Sequence, residues 1–473
     1  MTTSAIQNPA LRFRVQHLGC IQSGELEIRP LTLLCGPNNT GKTWVMYGLY
    51  GFLDHLMPIP KLPGMEKEVE ILAQEGTISW DFGKWVKEHE KKLIDILHRR
   101  MKGRLGEIFN TDPQLFDHTR FDWILAPGEL AESAINRALD FQLKIGSEEK
   151  EALRLSKPAG EGVLNMTLLT RHLPDLERML ADAIVSHLVD QGPRHRPFLM
   201  PAERNGLHLF FRELSTRRTA LLHHLTKDKL DIVKLLQDVI SSRYAEPIAR
   251  YIDWLNELPN RRKTRSGPLH ALAEDLKKLV GGRYDVDAEG NIHFTPRKIK
   301  RGDGDTPPTL DLHMTSSTVK SLFGLWFYLE HQARPGDVLM IDEPELNLHP
   351  SNQRALARLL ARLVNAGLYV VVSTHSDYLV REINSLVMLS KPHECRSELM
   401  RRYGYVEDQV LSPDKVGAYL FDNNHIVNME VTQEEGIIAT TFDAIIHELN
   451  ETSDDIFYTY RDHSKGEACN VVG

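Results

Sequence analysis

A glycine-rich segment at positions 36–43 constrains the fold of this chain more than any other feature. It reads Gly36-Pro-Asn-Asn-Thr-Gly41-Lys42-Thr43, and it follows the apolar run Leu31–Cys35. The spacing G-x-x-x-x-G-K-T between a strand and a helix is typical of a phosphate-binding loop. The glycines allow the main chain to approach an anion, and the helix start directs N–H groups at it. We therefore expect a nucleotide site here, although an ordinary Gly/Asn turn is the alternative interpretation of such a segment.

The side chains of this loop have distinct expected roles. Lys42 supplies a mobile positive charge for the β- and γ-phosphates, and Thr43 offers a hydroxyl to Mg²⁺. Lys42 is therefore also a catalytic candidate. The predicted nucleotide-binding residues are Gly36, Pro37, Asn38, Asn39, Thr40, Gly41, Lys42 and Thr43.

Two carboxylates, Asp342 and Glu343, follow a second apolar run at positions 338–341. In open α/β sheets, ligands bind at the carboxyl ends of the strands. Asp342 is predicted to hold Mg²⁺ together with Thr43, and Glu343 to orient and deprotonate the attacking water as a general base. Solvated acids at a strand end are the alternative, but the phosphate-binding loop elsewhere in the chain favours the functional interpretation.

Two further polar clusters stand at the ends of predicted elements. His375 follows the apolar strand Tyr369–Ser373, where a neutral imidazole is expected to contact the γ-phosphate and help to fix the water. Ser316 and Ser317 begin an amphipathic helix. Helix capping alone explains these serines, whereas the functional interpretation is that they bind the γ-phosphate of a nucleotide held by another subunit.

Composition narrows the class of protein. With 57 Lys and Arg against 65 Asp and Glu, the chain is not a globally basic nucleic-acid binder. The basic clusters Arg261–Arg265 and Arg297–Arg301 are typical of solvated loops, and nucleic acid is left open as a partner. The four cysteines lack metal spacing, and positions 1–10 lack a signal-peptide core. We expect a cytoplasmic protein without membrane contact, since no apolar run approaches the length of a membrane span.

Alternating strand and helix patterns predict an α/β fold, in which a sheet with a phosphate-loop core is interrupted by a mostly helical insertion. The expected boundaries are 1–57 for the N-terminal half of the core with the phosphate-binding loop, 58–196 for the helical insertion, 197–206 for a core strand and turn, 207–280 for the second part of the insertion, 281–395 for the C-terminal half of the core, and 396–473 for a C-terminal tail subdomain.

The order of these motifs resembles an ABC-type ATPase. The segments Ile341–Pro350 and Ser373–Ser376, with the turn Pro201–Arg204, are similar to AAA-type ATPases of the SMC, RecF and OLD group. The resemblance implies an ABC/SMC-like ATPase head with a mixed sheet, which uses ATP and Mg²⁺. It also implies that ATP is clamped between two heads, so that the chain forms a homodimer or a higher oligomer.

The resemblance divides the site between subunits. It implies that Lys42, Thr43, Asp342, Glu343 and His375 act in one subunit, and that the second serine of the signature, at position 317, acts in the other.

One departure from the family's sequence pattern bears on the expected rate of ATP hydrolysis. The signature usually has glycine where Thr318 stands, and a branched side chain there crowds the approach to phosphate, so slow hydrolysis is expected. Glu203 and Arg204 are expected either near the nucleotide or in a structural salt bridge.

The resemblance also suggests a biological role. OLD-family nucleases carry a metal-binding TOPRIM domain after the ATPase, and the residues after His375 lack its spaced Glu and Asp-x-Asp. The chain therefore resembles stand-alone ATPase subunits of bacterial anti-phage systems such as PARIS and Septu, and a separate nuclease or toxin is the expected effector. The alternative is a RecF-like DNA-repair ATPase whose DNA binding is controlled by ATP. A transporter motor fits least well, because the insertion does not suit a compact subunit docking on a membrane partner.

Overall fold

A nine-stranded sheet organises the structure, which is a computed structural model. The structure describes residues 11–54, 61–145, 150–170, 173, 175–189, 197–225, 244–260, 268–297, 308–438 and 451–460.

The strands and helices are numbered in chain order. The strands are β1 (Leu11–Leu18), β2 (Ile21–Ile28), β3 (Leu31–Cys35), β4 (Thr77–Asp81), β5 (Arg120–Ile124), β6 (Leu139–Ile145), β7 (Lys150–Lys157), β8 (Val163–Leu168), β9 (Phe198–Met200), β10 (Gly282–Val286), β11 (Ile292–Pro296), β12 (Leu310–Asp311), β13 (Val338–Asp342), β14 (Tyr369–Thr374), β15 (Val416–Asp422), β16 (His425–Met429), β17 (Val431–Thr432) and β18 (Gly436–Ile437). The helices are α1 (Lys42–Asp54), α2 (Glu66–Glu75), α3 (Phe82–Phe109), α4 (Glu129–Asn136), α5 (Leu176–Val189), α6 (Arg204–Leu225), α7 (Glu246–Asn256), α8 (Pro268–Val280), α9 (Ser317–His331), α10 (Pro350–Asn365), α11 (Asp377–Met388) and α12 (Arg396–Tyr403).

The central sheet is mixed. Its strand order is β5-β1-β2-β16-β15-β3-β14-β13-β9, and the strands from β15 to β9 run parallel to one another. β3 and β13 are buried along their whole length, as parallel strands covered on both faces require. The other half contains the antiparallel pairs β1–β2, β1–β5 and β15–β16. These pairings confirm the predicted α/β fold with a mixed sheet around the phosphate-binding loop.

The two faces of the sheet are covered by different helices. Successive side chains of a strand point to opposite faces. Accordingly, Leu34 and Met340 belong to the core that contains α1, whereas Leu33 and Ile341 belong to the core that contains α9, α10 and α11. The sheet therefore lies between α1, which leaves the phosphate-binding loop, and α9, which begins beside Ser316.

The C-terminal tail subdomain expected at 396–473 is wrong for residues 416–429. β15 pairs with β3 from Val416↔Leu31 to Leu420↔Cys35, so it lies in the middle of the central sheet. β16 continues the sheet to β2, where a Cβ added at Gly24 would lie 2.3 Å from Cβ of Ile426. β15 follows the helices α11 and α12 and pairs with β3, almost 400 residues earlier in the chain. The neighbours of a strand are set by packing between such distant segments, which local residue spacing does not report. The tail residues 439–450 and 461–473 lie outside the described part.

The insertion expected at 58–196 contains strands as well as helices. α3 is its longest helix, with 28 residues, and a four-stranded antiparallel sheet has the order β4-β8-β7-β6. The insertion is also joined to the core, because β5 pairs with β1. In β7, Arg154 and Ser156 are exposed between the buried Leu153, Leu155 and Lys157, so its charged residues obscure the apolar alternation.

In the described part of the chain, no helix combines the length and the apolar character needed to cross a bilayer.

Candidate functional site

The phosphate-binding loop joins the end of β3 to the start of α1. Three of its residues have left-handed main-chain conformations, with φ of 140° at Gly36, 62° at Asn39 and 98° at Gly41. The Thr40 hydroxyl donates to the carbonyl oxygen of Pro37 at 2.8 Å, which closes the loop on itself. The loop therefore has the curled main chain that an anion-binding site requires.

The two glycines of the motif are also required by protein packing. A Cβ at Gly36 would lie 2.5 Å from the carbonyl oxygen of Phe421 in β15, and a Cβ at Gly41 would lie 2.6 Å from Cγ1 of Ile21. Approach of the loop to a phosphate is one reason for these glycines. The structure adds that β15 and β2 press against the loop from the protein side, so both causes act at the same positions.

Lys42 is enclosed by the loop. Its ammonium group donates to the carbonyl oxygens of Gly36 at 2.9 Å and Pro37 at 2.6 Å. Burial lowers the pKa of Lys42, and the negative charges of Glu343 and Asp342 oppose that shift. The ammonium charge is thus held at the loop, close to the acids at the end of β13.

Thr43 and Asp342 meet across the sheet. The Thr43 hydroxyl donates to Oδ2 of Asp342 at 3.0 Å, and the Ser373 hydroxyl donates to Oδ1. Burial raises the pKa of Asp342, while these two hydrogen bonds lower it and Glu343 and Glu203 raise it further. Thr43 is exposed and supplies a hydroxyl oxygen, and Asp342 supplies a carboxylate oxygen with other negative charges nearby. Mg²⁺ prefers such oxygen ligands, so these two residues fit it.

Glu343 occupies a left-handed turn, with φ of 48°. Such a conformation costs a non-glycine residue about 1–2 kcal/mol, so other contacts must hold it. Its N–H donates to the Ser373 hydroxyl at 3.0 Å, and its carbonyl oxygen accepts from Arg204 at 2.7 Å. The carboxylate itself is 25% exposed. The main chain is thus fixed on both sides, and the carboxylate stays open to a substrate.

His375 lies beside Glu343. Its Nδ1 is 3.7 Å from Oε1 of Glu343 and 3.5 Å from Oε1 of Glu345. Glu345 also accepts hydrogen bonds from the Thr374 hydroxyl at 2.7 Å and from the N–H of His375 at 2.9 Å. Glu345 is buried, and it positions the segment that carries His375. Its place two residues after Glu343 is the only sequence signal of this role.

Arg204 lies against the residues that carry the two acids at the end of β13, and its hydrogen bonds go to uncharged acceptors. Its guanidinium is buried and donates to main-chain carbonyl oxygens, including that of Asp342 at 2.8 Å. Glu203 is exposed, and it lies close enough to raise the pKa of both Asp342 and Tyr47. Arg204 therefore holds the main chain of the acidic turn through buried hydrogen bonds, while Glu203 adds negative charge to the site.

Ser316 and Ser317 are exposed at the start of α9. Ser316 is the N-cap residue, and its hydroxyl accepts from the N–H of Val319 at 3.4 Å. The capping interpretation is therefore confirmed for Ser316. Because the sheet lies between α9 and α1, these serines belong to a different surface of the chain from the phosphate-binding loop.

Arg261–Arg265 lies outside the described residues, and of Arg297–Arg301 only Arg297 lies inside them.

Comparison with solved structures finds SMC heads with little sequence identity. The SMC head domain from Thermotoga maritima is 9% identical, over 89% of this chain and 99% of that one, with a TM-score of 0.30. The Smc head domain of Pyrococcus furiosus bound to the C-terminal domain of ScpA is 11% identical, over 94% and 99%, with a TM-score of 0.32. No curated protein matches the chain.

A comparison with models of protein families finds one match. Residues 214–380 match the family described as an AAA ATPase domain. This range contains Ser316, Ser317, Asp342, Glu343 and His375, whereas the phosphate-binding loop precedes it. Residues 214–380 are thus similar to an AAA ATPase domain, and the match covers about a third of the chain.

Proposed function

We propose that this protein is an ABC-type ATPase of the SMC-like group that binds and hydrolyses ATP. The observation that carries the proposal is the hydrogen bond between Thr43 and Asp342, with Lys42, Glu343 and His375 around it. A hydroxyl, a lysine ammonium and two acids at the ends of neighbouring parallel strands are the groups that phosphoryl transfer to water needs.

Each of these residues has a task in the proposed hydrolysis. The N–H groups of residues 36–43 and the Lys42 ammonium bind the phosphates of ATP. Thr43 and Asp342 would hold Mg²⁺, which neutralises phosphate charge when bound. Glu343 accepts a proton from the attacking water, and His375, whose Nδ1 is 3.7 Å from Oε1 of Glu343, helps to orient that water.

The proposed active form is a dimer or a higher oligomer. Ser316 and Ser317 are exposed, and α9 lies on the other side of the sheet from α1. We propose that these serines bind the γ-phosphate of ATP held by a second copy of the chain. The start of a helix favours a negative charge at that position.

The proposed biological role is a cytoplasmic sensor or scaffold subunit of a bacterial anti-phage complex. In this role the ATPase holds a separate nuclease or toxin and releases or activates it when triggered. Two observations support the proposal: the motifs at positions 341–350 and 373–376 resemble those of the SMC, RecF and OLD group, and the residues after His375 lack the spaced Glu and Asp-x-Asp of a TOPRIM nuclease domain.

The test is to purify the full chain from cells that also express its neighbouring genes, with and without ATP. A nuclease or toxin that stays bound, with an ATP-dependent yield, supports the defence role. Co-purified DNA, lost at high salt, supports the RecF-like alternative. The Lys42→Ala variant is the matched control, because its yield of partner should no longer respond to ATP.

A further inference from the structure

Arg204 is one of the largest fully buried side chains of the protein, with 2% of its surface exposed. It follows the edge strand β9 and makes four hydrogen bonds. They go to the Ser321 hydroxyl at 3.3 Å and to the carbonyl oxygens of Pro201 at 3.2 Å, Asp342 at 2.8 Å and Glu343 at 2.7 Å. All of these acceptors are uncharged. Burying a cation is costly, so a buried arginine that binds main-chain carbonyls indicates that the positions of those carbonyls must be fixed.

The first segment that Arg204 fixes is the turn that carries Glu343, the proposed general base. Two of the four bonds reach Asp342 and Glu343, the two residues at which the chain leaves β13. Glu343 has the left-handed φ of 48°, and its carbonyl oxygen also accepts from the N–H of Leu346 at 3.1 Å. The planar guanidinium binds two successive carbonyl oxygens at once, which fixes the orientation of the peptide between them.

The second segment that Arg204 contacts is the helix α9. Nε of Arg204 donates to the Ser321 hydroxyl, and that hydroxyl donates to the carbonyl oxygen of Leu346 at 3.3 Å. Ser321 lies in the second turn of α9, four residues after Ser317. The start of this helix carries the exposed serines proposed to meet a second copy of the chain. Arg204 therefore contacts both the turn of Glu343 and the helix that would contact the partner.

The neighbouring segment binds α9 in the same way. His208, one turn after Arg204 in α6, contacts the carbonyl oxygen of Lys320 through Nδ1 at 2.8 Å. α9 is thus held to α6 at two successive residues, Lys320 and Ser321. A small displacement of the start of α9 would be transmitted to Arg204 through these bonds, since buried and closely packed groups move together.

We propose that Arg204 is a positioning residue that couples α9, and with it the contact to a second copy of the chain, to the orientation of Glu343. When the second copy binds at Ser316 and Ser317, α9 is held in place, and Arg204 holds the Glu343 turn in the arrangement needed for hydrolysis. This inference rests on the proposed ATPase function. It adds that hydrolysis in a subunit responds to contact made by its own α9.

The test uses Ser321→Ala, which removes the link to α9 and leaves the carbonyl contacts of Arg204 in place. We expect the KM for ATP to stay within about twofold and kcat to fall by about tenfold, the effect of one hydrogen bond to a charged group. Turnover per subunit of the wild type should rise with protein concentration as dimers form. In Ser321→Ala this rise should be much reduced, although ATP still drives dimer formation.

Three further variants complete the experiment. Arg204→Lys keeps a charge but cannot bridge the same acceptors, so kcat should fall with little change in KM. Arg204→Met should lower kcat further, and partial recovery in the lysine variant distinguishes positioning from loss of fold. Ser385→Ala is the matched control, because its hydroxyl bonds to the carbonyl oxygen of Arg381 within α11, away from this network.

The outcomes separate the two proposals. A wild-type kcat in both Ser321→Ala and Arg204→Lys overturns the inference while leaving the ATPase function intact. A rise in KM without a fall in kcat overturns it as well. A wild-type protein that does not hydrolyse ATP overturns the proposed function, and the inference with it.

Discussion

The hydroxyl of Thr43 donates a hydrogen bond to Oδ2 of Asp342 at 3.0 Å, although 299 residues separate the two along the chain. This contact joins the start of α1 to the end of β13. It forms because β3, β14 and β13 are adjacent and parallel, so their carboxyl ends meet at one edge of the sheet. Every prediction about nucleotide chemistry below depends on this edge.

Lys42→Ala should abolish nucleotide binding. Lys42 is the cation enclosed by the loop, and without it the phosphates would lie near Asp342 and Glu343 with one positive charge fewer to compensate the repulsion. We expect the affinity for ATP, measured by titration calorimetry, to fall by about 100-fold or more, the loss of a buried charge-assisted contact. Lys84→Ala, at a highly exposed position on α3, is the control and should bind as the wild type does. Equal affinity in the Lys42 variant would contradict the nucleotide site.

Glu343→Gln should separate binding from turnover. The amide has the shape of the carboxylate but cannot accept the proton of water, so hydrolysis should fall by about 10²–10⁴-fold. ATP affinity should remain within a few-fold of the wild type, and ATP should trap the dimer, as measured by light scattering. The control is Glu398→Gln on the exposed surface of α12. If Glu343→Gln hydrolyses ATP at the wild-type rate, another group is the base.

Mixing two inactive variants should restore activity if the site is shared between subunits. Ser317→Asp places a carboxylate where the γ-phosphate of the partner would bind, and an acid in the first turn is favourable to the helix itself. Lys42→Ala lacks its own nucleotide site but keeps Ser317. After equimolar mixing, half of the dimers are mixed, and each mixed dimer has one complete site out of two. The mixture should therefore recover up to about a quarter of the wild-type turnover.

The mixing experiment also has a clear negative result. No recovery, in a mixture shown by light scattering to contain dimers, would mean that Ser317 does not act across the subunit boundary. Full activity of Ser317→Asp alone would lead to the same conclusion.

His208 should make the protein less stable in mild acid. Burial lowers the pKa of His208 from 6.5 to about 3, so the imidazole is neutral when folded and becomes protonated on unfolding below pH 6.5. The unfolded chain then binds more protons, and the free energy of unfolding falls by up to about 1.4 kcal/mol per pH unit as the pH drops from 6.5 towards 3. Above pH 6.5 the effect is absent.

The measurement is thermal melting at pH 7.5 and pH 5.5. His208→Gln should lower Tm at pH 7.5, because the contacts with Lys320 and Tyr251 are disturbed, yet its Tm should fall less between the two pH values. Some pH dependence should remain, since burial also lowers the pKa of His187 to about 4. The exposed His118→Gln is the control. Identical pH dependence in wild type and His208→Gln would show that His208 is not the titrating group.

Local patterns predicted the part of the site that lies at strand ends. Lys42, Thr43, Asp342, Glu343 and His375 each follow an apolar run, and parallel strands bring such positions together. Glu345 and Arg204 were not assigned their contacts, because both bind main-chain atoms of segments that are distant in sequence. A main-chain donor or acceptor leaves no trace in residue type, so no sequence pattern reports it.

The sequence by itself determined the phosphate-binding loop, the acids after the second apolar run and the α/β class, since these depend on residue type and local spacing. Only the tertiary structure decided that β15 and β16 enter the middle of the sheet, that Phe421 and Ile21 press on the glycines of the loop, and that Arg204 joins Glu343 to α9. The physical reason is that strand neighbours and buried hydrogen-bond partners are chosen by packing between distant segments. Local propensity carries no information about that choice.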